Sequence, residues 1–462
     1  MSERHGAWVV AAVVVAAVLA AYANAWPGAW QFDDFVAIVD ESRVHGFASW
    51  WLSMPGLRPL LKASYALTWA LGGGSPTPFL ALNVALHALD ALMVAALARR
   101  LMPRLAPDVD DRRPRAALAA MLAALAFALH PAATEAVTYL SGRSTSLSAT
   151  LWLGALLLWL RDTPVARVAA LIAFGGAVAV KETAIAWPLA VLLVEGLRDA
   201  RWKTALRRSA APFFFAALAA AAIAAVPAYR RMAMTRLAIR DPLSNLGVAV
   251  DGIAYLVTHP LLTLRTSIDP MIVASAFSAG WWLAAAAVVA VLAVGAWSLW
   301  PRGELGAQAV HRPLAGFAIA WFAIALAPVQ SLVARDDIAN DRQLYLALAG
   351  PAIALGIVAA RHASRRSAIV TIAAIATLAV ATHLRNRDYA DEVTLWRATI
   401  AASAGKARPW NNLGVALAQR GDVAAARQAY ERALALDPAD IKARVNLELL
   451  DRARGATAAP AR

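Results

Sequence analysis

The sequence predicts an all-α fold, a bundle of membrane-spanning helices followed by a small soluble helical unit. Three observations carry this reading. Hydrophobic residues fill 60% of the 462 positions and charged ones 16%, and the mean hydropathy is +0.56, a balance found in polytopic membrane proteins rather than soluble domains. Apolar runs long enough to cross a bilayer recur through positions 1–388. Positions 389–456 then turn polar and repeat themselves at a spacing of 34 residues, leaving 457–462 as a disordered tail.

The first apolar run, 7–23, follows only Arg4 and His5. It ends in Ala21-Tyr22-Ala23, which resembles a signal-peptide cleavage site. It reads better as an uncleaved helix, because it is long enough to span and it anchors the loop that follows. Further spans fall at 79–98, 116–130, 144–160, 166–180, 183–197, 210–228, 282–300, 314–333, 343–360 and 368–384, giving eleven with the first. Two stretches, 60–71 and 245–264, are short or punctuated and read as interfacial or re-entrant.

Charge sets the topology. Arg99, Arg100, Arg104, Arg112, Arg113 and Arg115 share one loop, and Arg198, Arg201, Lys203, Arg207 and Arg208 another, so both belong on the cytoplasmic side. The N-terminus is then inside and the loop after the first span outside. With 245–264 not crossing, the basic stretch 361–366 is also cytoplasmic, and the C-terminal unit lies on the outer face. The formal charge of +14 reflects arginines that cluster in short loops between apolar runs, where they set topology, which argues against nucleic-acid binding. The absence of cysteine excludes a disulfide, a thiolate nucleophile and a thiolate metal site.

In the tail, Trp410, Leu413, Gly414, Leu417, Gly421, Ala426, Tyr430, Ala433 and Pro438 fall at the spacings of one tetratricopeptide repeat, a helical hairpin. Asn412-Leu413 recurs as Asn446-Leu447, and Trp396 precedes Tyr430 by the same 34 residues, so half-repeats flank the hairpin. Small residues at Gly414, Ala426 and Ala433 let the helices approach while Trp410 and Tyr430 fill the seam. The unit serves either as a stabilising cap or as a docking platform for a protein.

Four outward-facing places hold polar groups that lipid does not tolerate without cause. The first outer loop carries the adjacent carboxylates Asp33 and Asp34 and, further on, Arg58. A short turn between two spans runs from His130-Pro131 through Glu135 to Ser141-Gly142-Arg143. Lys181-Glu182-Thr183 forms the third, and the stretch 335–345 with Arg342 and Tyr345 the fourth. Each has a plainer reading. The Asp pair can cap a polar loop, His130-Pro131 can simply end a helix, and Lys181 can pair with Glu182 at the interface. Arg143 is harder to dismiss, since a lone cation at the start of an apolar span needs an anion, from Glu135 or a lipid phosphate. Asn83, His87 and Asp90 share one helix face and read as an interhelical hydrogen-bond seam rather than a proton relay. Outward carboxylates beside outward cations suit group transfer from a lipid phosphate: a base for the hydroxyl acceptor, cations for the departing phosphate.

These residues resemble the transmembrane and tetratricopeptide-repeat O-mannosyltransferases (TMTC) and their bacterial relatives, within the GT-C glycosyltransferases. The resemblance rests on Phe32-Asp33-Asp34, Arg58-Pro59-Leu60, Asn83 through His87, His130-Pro131 with Thr134-Glu135-Ala136-Val137, Ser141-Gly142-Arg143-Ser144, Lys181-Glu182-Thr183, Arg342 with Tyr345-Leu346, and the repeat. It implies an inverting transfer of a sugar from a polyprenyl-phosphate donor to a hydroxyl, such as a protein Ser or Thr. Asp33 or Asp34 is then the general base, Glu135 orients the sugar or assists, and Arg143, Lys181 and Arg342 bind the donor phosphate. Arg58, His130, Glu182 and Tyr345 complete the candidate site.

Two departures stand out. Relatives read Arg-Tyr-Leu-Tyr where this chain has Arg342-Gln343-Leu344-Tyr345, which weakens an aromatic stacking role at that position, and the repeat array is short. The Ala- and Arg-rich composition points to a bacterial inner membrane, hence an undecaprenyl-type lipid and a periplasmic site. No third ligand accompanies the Asp pair, so Mg²⁺ or Mn²⁺ is unsupported. A competing reading is a non-catalytic scaffold whose repeat recruits partners in envelope or pilus assembly. A transporter fits less well, because charges within the spans are too few for an ion path.

Overall fold

The computed structural model describes residues 3–53, 56–107, 113–199, 202–262, 266–273, 275, 277–299, 312–330, 334–335 and 337–458. Among them every regular element is helical and no strand occurs. In chain order the first helices are α1 (Glu3–Ala21), α2 (Phe47–Leu52), α3 (Pro59–Gly72), α4 (Thr77–Leu105), α5 (Arg113–Ala128), α6 (Thr134–Val137), α7 (Arg143–Trp159), α8 (Pro164–Val180) and α9 (Trp187–Asp199). Then come α10 (Trp202–Arg208), α11 (Ala210–Ala225), α12 (Pro227–Ile239), α13 (Pro242–Leu262), α14 (Ala279–Leu299), α15 (Arg312–Leu326), α16 (Leu344–Ala347), α17 (Ala349–Arg361) and α18 (Arg365–Asn386). The C-terminal unit is α19 (Glu392–Ala402), α20 (Ala407–Gln419), α21 (Val423–Leu436) and α22 (Ile441–Ala458). Helix α22 runs through the start of the expected disordered tail, and 459–462 lie outside the described residues.

By length and composition, four unbroken helices can cross a membrane: Gly6–Ala25, Thr77–Leu105, Ala279–Leu299 and Arg365–Tyr389. Three bent pairs raise the number to seven if each counts as one span. Among the described residues there are thus four to seven apolar spans, fewer than the eleven expected. Long apolar runs are broken by polar turns, as at His130-Pro131, where the chain bends by 57° between Arg115–Ala128 and Pro131–Val137, because proline cannot continue the preceding ladder. A second bend, 52°, separates Asp341–Ala347 from Ala349–Arg361. The helices Pro164–Val180 and Pro313–Leu326 are apolar but short. Helices α14 and α18 bury only 6% of their apolar windows within the protein. Such apolar surface is stable against lipid and costly against water.

The core packs α4, α5, α7 and α17 together, with α1 and α15 around them. The fully buried Ala119, Ala120, Ala123 and Ala124 give α5 a small-residue face, which lets helices meet closely where hydrophobic driving force is weak. Several polar groups inside the helix core are paired. Asn83 donates to the carbonyls of Val137 (3.0 Å) and Leu140 (3.2 Å). Tyr345 donates to Asp90 (2.8 Å), which also accepts from Thr150 (2.6 Å). His87 sits between the Tyr345 hydroxyl (2.8 Å) and the Ala128 carbonyl (2.9 Å). Asn83, His87 and Asp90 thus form an interhelical seam that ties α4 to α6, α7 and α16.

Arg143 is the central tie. It is fully buried. Its guanidinium donates to Asn83 Oδ1 (2.8 Å), Thr68 Oγ1 (2.8 Å), the Ser64 carbonyl (3.1 Å) and the Phe79 carbonyl (3.1 Å), and it lies over the rings of Tyr65 and Phe79. One side chain thereby joins α3, α4 and α7, using the fixed fork geometry that only arginine offers.

Helices α20 and α21 form the expected hairpin. Gly414 is needed there, because a Cβ would lie 2.5 Å from the Tyr430 ring. The hairpin does not hang free. Arg408 donates to Asp269 (2.6 Å) and Asp337, and Lys406 pairs with Asp269. Phe32 meets Trp396 edge-on at 5.1 Å, and Gln31 Nε2 donates to the Tyr389 carbonyl at 2.6 Å. The apolar core around Trp396 includes Tyr139 and Ile268 from the larger part of the chain.

Arg143→Met strands four acceptors, three of them buried, and should lower stability by about 3 kcal/mol or more. Arg143→Lys, which keeps the charge but loses the fork, should fall between. Thermal unfolding of the purified protein in detergent checks both.

Candidate active site

The first outer loop turns sharply at Phe32, whose φ of 47° is left-handed, a conformation that costs a non-glycine residue about 1–3 kcal/mol and survives only where the surroundings impose it. Phe32 is held by its ring on Trp396 and by its backbone N–H, which donates to Glu392 Oε1 at 3.2 Å. The turn sends the two neighbouring carboxylates to different tasks.

Asp34 points inward and is fully buried. Its Oδ1 accepts from the Ser141 N–H (2.7 Å) and its Oδ2 from the Gln31 N–H (3.1 Å). Burial pushes its carboxyl up to about 7, against the lowering effect of these bonds. Asp34 is therefore a pin between the loop and the Ser141-Gly142-Arg143 turn. Asp33 is half-buried. Its backbone N–H donates to the Tyr139 hydroxyl at 2.9 Å. Burial raises its carboxyl above the ordinary value, with Arg342 and Tyr139 pulling the other way. Of the pair, Asp33 alone keeps its carboxylate open to a reactant.

The turn from Tyr139 to Arg143 explains its own sequence. Ser141 supplies the N–H for Asp34. A Cβ on Gly142 would come within 2.3 Å of the Glu135 carbonyl, so only glycine lets the turn close on α6. Arg143, expected at the donor phosphate, is committed to α3 and α4 and faces no cleft. His130, 8% exposed, accepts from the Ala132 N–H at 3.2 Å and caps the turn after α5. Tyr345 is spent in the Asp90 seam. Asp34, Arg143, His130 and Tyr345 are thus each engaged in contacts that hold the surrounding elements together.

A small cleft lies beside this turn, lined by Thr145, Ser148, Trp152, Lys181, Arg342 and Gln343 among others. Lys181 Nζ donates to Thr145 Oγ1 at 2.7 Å. Arg342 is held by Glu135, whose Oε2 accepts the Arg342 backbone N–H (3.0 Å) and whose Oε1 lies 3.5 Å from Nε. Beside it, Arg58 binds Glu182 with two parallel bonds of 3.0 and 2.7 Å. Burial alone would raise the Glu182 carboxyl, but Arg58 outweighs it and holds it near 2. Arg58 is itself left-handed, φ 51°.

Lys181 stands in a positive field. Burial, and then the guanidinium groups of Arg342, Arg58 and Arg335, drive its ammonium well below the usual lysine value, and Glu182 only partly offsets them. Four cations from three stretches of chain thus act on one another, and two of them, Lys181 and Arg342, line the cleft. Among the described residues no group of three or more His, Asp or Glu is arranged to hold a metal ion.

Sequence reasoning assigned Arg335 and Tyr139 no role beyond membership of polar stretches, and it marked Gln343 only as a departure from the relatives' pattern. Thr145 was missed, because a threonine beside an apolar run looks the same wherever it points. Asp337 gives the cleft a link to the C-terminal hairpin: it pairs with Arg408 and lies 3.9 Å from Arg342.

Residues 407–440 match the tetratricopeptide repeat family, which covers the α20–α21 hairpin and the turn after it. No curated protein matches the chain.

Folding lifts Asp34 from an ordinary carboxylate value to about 7, so the native state holds that proton more tightly than the unfolded chain. Its contribution to stability is complete below about pH 4 and lost as pH climbs to about 7. Melting temperature should therefore fall over that window, and Asp34→Asn should flatten that part of the slope. Asp34→Ala, which strands two backbone N–H groups, should cost about 1–3 kcal/mol for each, while Asp33→Asn should leave the melting temperature nearly unchanged.

Proposed function

We propose that this chain is a membrane glycosyltransferase of the GT-C type that moves a sugar from a polyprenyl-phosphate donor to a hydroxyl acceptor, such as a protein Ser or Thr, on the outer face of a bacterial inner membrane. The observation that carries the reading is a partly exposed carboxylate, Asp33, in the field of Arg342, which together with Lys181 lines a cleft.

In this mechanism Asp33 accepts the proton of the acceptor hydroxyl as its oxygen attacks the anomeric carbon. The bond from that carbon to the phosphate oxygen breaks on the opposite side, with inversion, and the electron pair leaves with the phosphate. Arg342 and Lys181 receive the developing negative charge. A carboxyl raised by partial burial is a better base than an ordinary aspartate. Glu135 is a positioning residue that fixes Arg342, and Glu182 does the same for Arg58. The TMTC-like resemblance supports a base from this pair, and the full burial of Asp34 favours Asp33 for that task.

The proposed topology places the N-terminus inside and the Asp33 loop, the cleft and the repeat hairpin outside, with the bent helix pairs supplying crossings and turns. The scaffold alternative assigns no task to the cleft cations, and the hairpin face carrying Lys406 and Arg408 is already engaged with Asp269 and Asp337.

Asp33→Asn should reduce sugar transfer by about 10²–10⁴-fold with membrane insertion and melting temperature intact. Lys181→Met and Arg342→Met should raise the KM for donor more than that for acceptor. Mass spectrometry of envelope proteins and lipids from cells carrying wild type or Asp33→Asn gives the decisive comparison. Identical glycan profiles in the two strains would refute the transferase.

A further inference from the structure

Gln343 follows Arg342 in the chain and lines the same cleft. It is 8% exposed, and its Nε2 makes no hydrogen bond. Buried donors are nearly always satisfied. Among the described residues, it is the lining residue of this cleft that holds an unpaired buried polar atom.

The direction of that amide is fixed by its neighbours. Gln330 Nε2 donates to the Ile338 carbonyl at 3.0 Å and to Gln343 Oε1 at 2.8 Å. A backbone carbonyl only accepts, so it sets the face that Gln330 presents, and both Gln330 hydrogens are then used. Gln343 must turn its oxygen to Gln330, since the reverse orientation would set two donors against each other. Its NH₂ group is left without a protein partner, on a residue that lines the cleft together with Lys181 and Arg342.

We infer that Gln343 is a specificity-determining residue that donates its amide N–H to an oxygen of a lipid phosphate held by Lys181 and Arg342. This rests on the donor reading above and adds to it a neutral third contact. A neutral donor is what the position calls for, because a further cation would add repulsion to a field in which Lys181 is already disfavoured. The lining also includes the apolar side chains of Trp152, Ala325, Val329 and Leu346. That pairing of phosphate donors with an apolar lining fits the junction between a phosphate and a prenyl chain, and not a free inorganic ion.

The test is equilibrium binding of undecaprenyl phosphate to the purified full-length protein in nanodiscs, with undecaprenol and inorganic phosphate as comparison ligands. Gln343→Met keeps the volume and removes the donors, and should weaken binding roughly five- to thirty-fold. Gln343→Glu, which places a negative charge against the phosphate, should weaken it further. Gln330→Met leaves Gln343 in place but frees its amide to turn, and should weaken binding to a smaller extent, so the inference stays testable even if Gln343 variants fail to fold. Wild-type affinity in Gln343→Met, or in Gln330→Met if the former does not fold, overturns the inference. If Lys181→Met and Arg342→Met still lose binding in that case, the donor reading survives. Unchanged binding in all three glutamine variants together with Lys181→Met and Arg342→Met sinks both. Undecaprenol or inorganic phosphate binding as tightly as undecaprenyl phosphate overturns the lipid phosphate as ligand.

Discussion

The buried guanidinium of Arg143 is the constraint on which the site's geometry depends. A cation removed from water must find acceptors for its N–H groups, and here it finds two carbonyls, an amide and a hydroxyl on α3 and α4. No carboxylate is used, so the tie is directional rather than merely attractive. It fixes the start of α7 and therefore the Tyr139–Gly142 turn before it. That turn holds both aspartates: Ser141 through the Asp34 carboxylate, Tyr139 through the Asp33 backbone. Loosening Arg143 would move every polar group on the first outer loop.

Neighbouring aspartates thus divide the labour between them. Asp34 has two backbone donors and no exposure, which is the environment of a structural pin. Asp33 has a neighbouring cation and partial exposure, which is the environment of a base. The difference is made by one left-handed residue, Phe32, and the strain there is held by the Trp396 ring and Glu392 of the C-terminal unit. The hairpin is consequently part of the site's architecture. Through Asp337 it also reaches Arg342 by a chain of ion pairs, Arg408 to Asp337 to Arg342 to Glu135, so that displacement of the hairpin would be felt as a change in the field at the cleft.

Around the cleft the acids do not cancel the bases at each point. Glu182 is paired with Arg58 and Glu135 with Arg342, yet Lys181 remains in a net positive field. Charges paired this way can be buried without a ligand. The residual field and the unpaired Gln343 amide give the cleft its affinity for an oxyanion under the proposed function.

The amino-acid sequence by itself determined the helical class, the apolar character of most helices and the repeat hairpin, because each is written in composition and in local spacing. It also determined which polar stretches matter, since a charge in an apolar chain is costly wherever it sits. Tertiary structure decided what each of those charges does. Arg143 and Lys181 look alike in sequence, as cations at the edges of apolar runs, but one is surrounded by carbonyls and the other by guanidinium groups. Asp33 and Asp34 are adjacent, and only the turn at Phe32 separates them. The number of unbroken spans escaped the sequence for a related reason: hydropathy counts apolar residues, whereas breaks such as His130-Pro131 depend on where backbone groups lose their partners. The role of Gln343 was beyond reach of any local reading, because it depends on Gln330, thirteen positions away, turning its own amide toward a carbonyl.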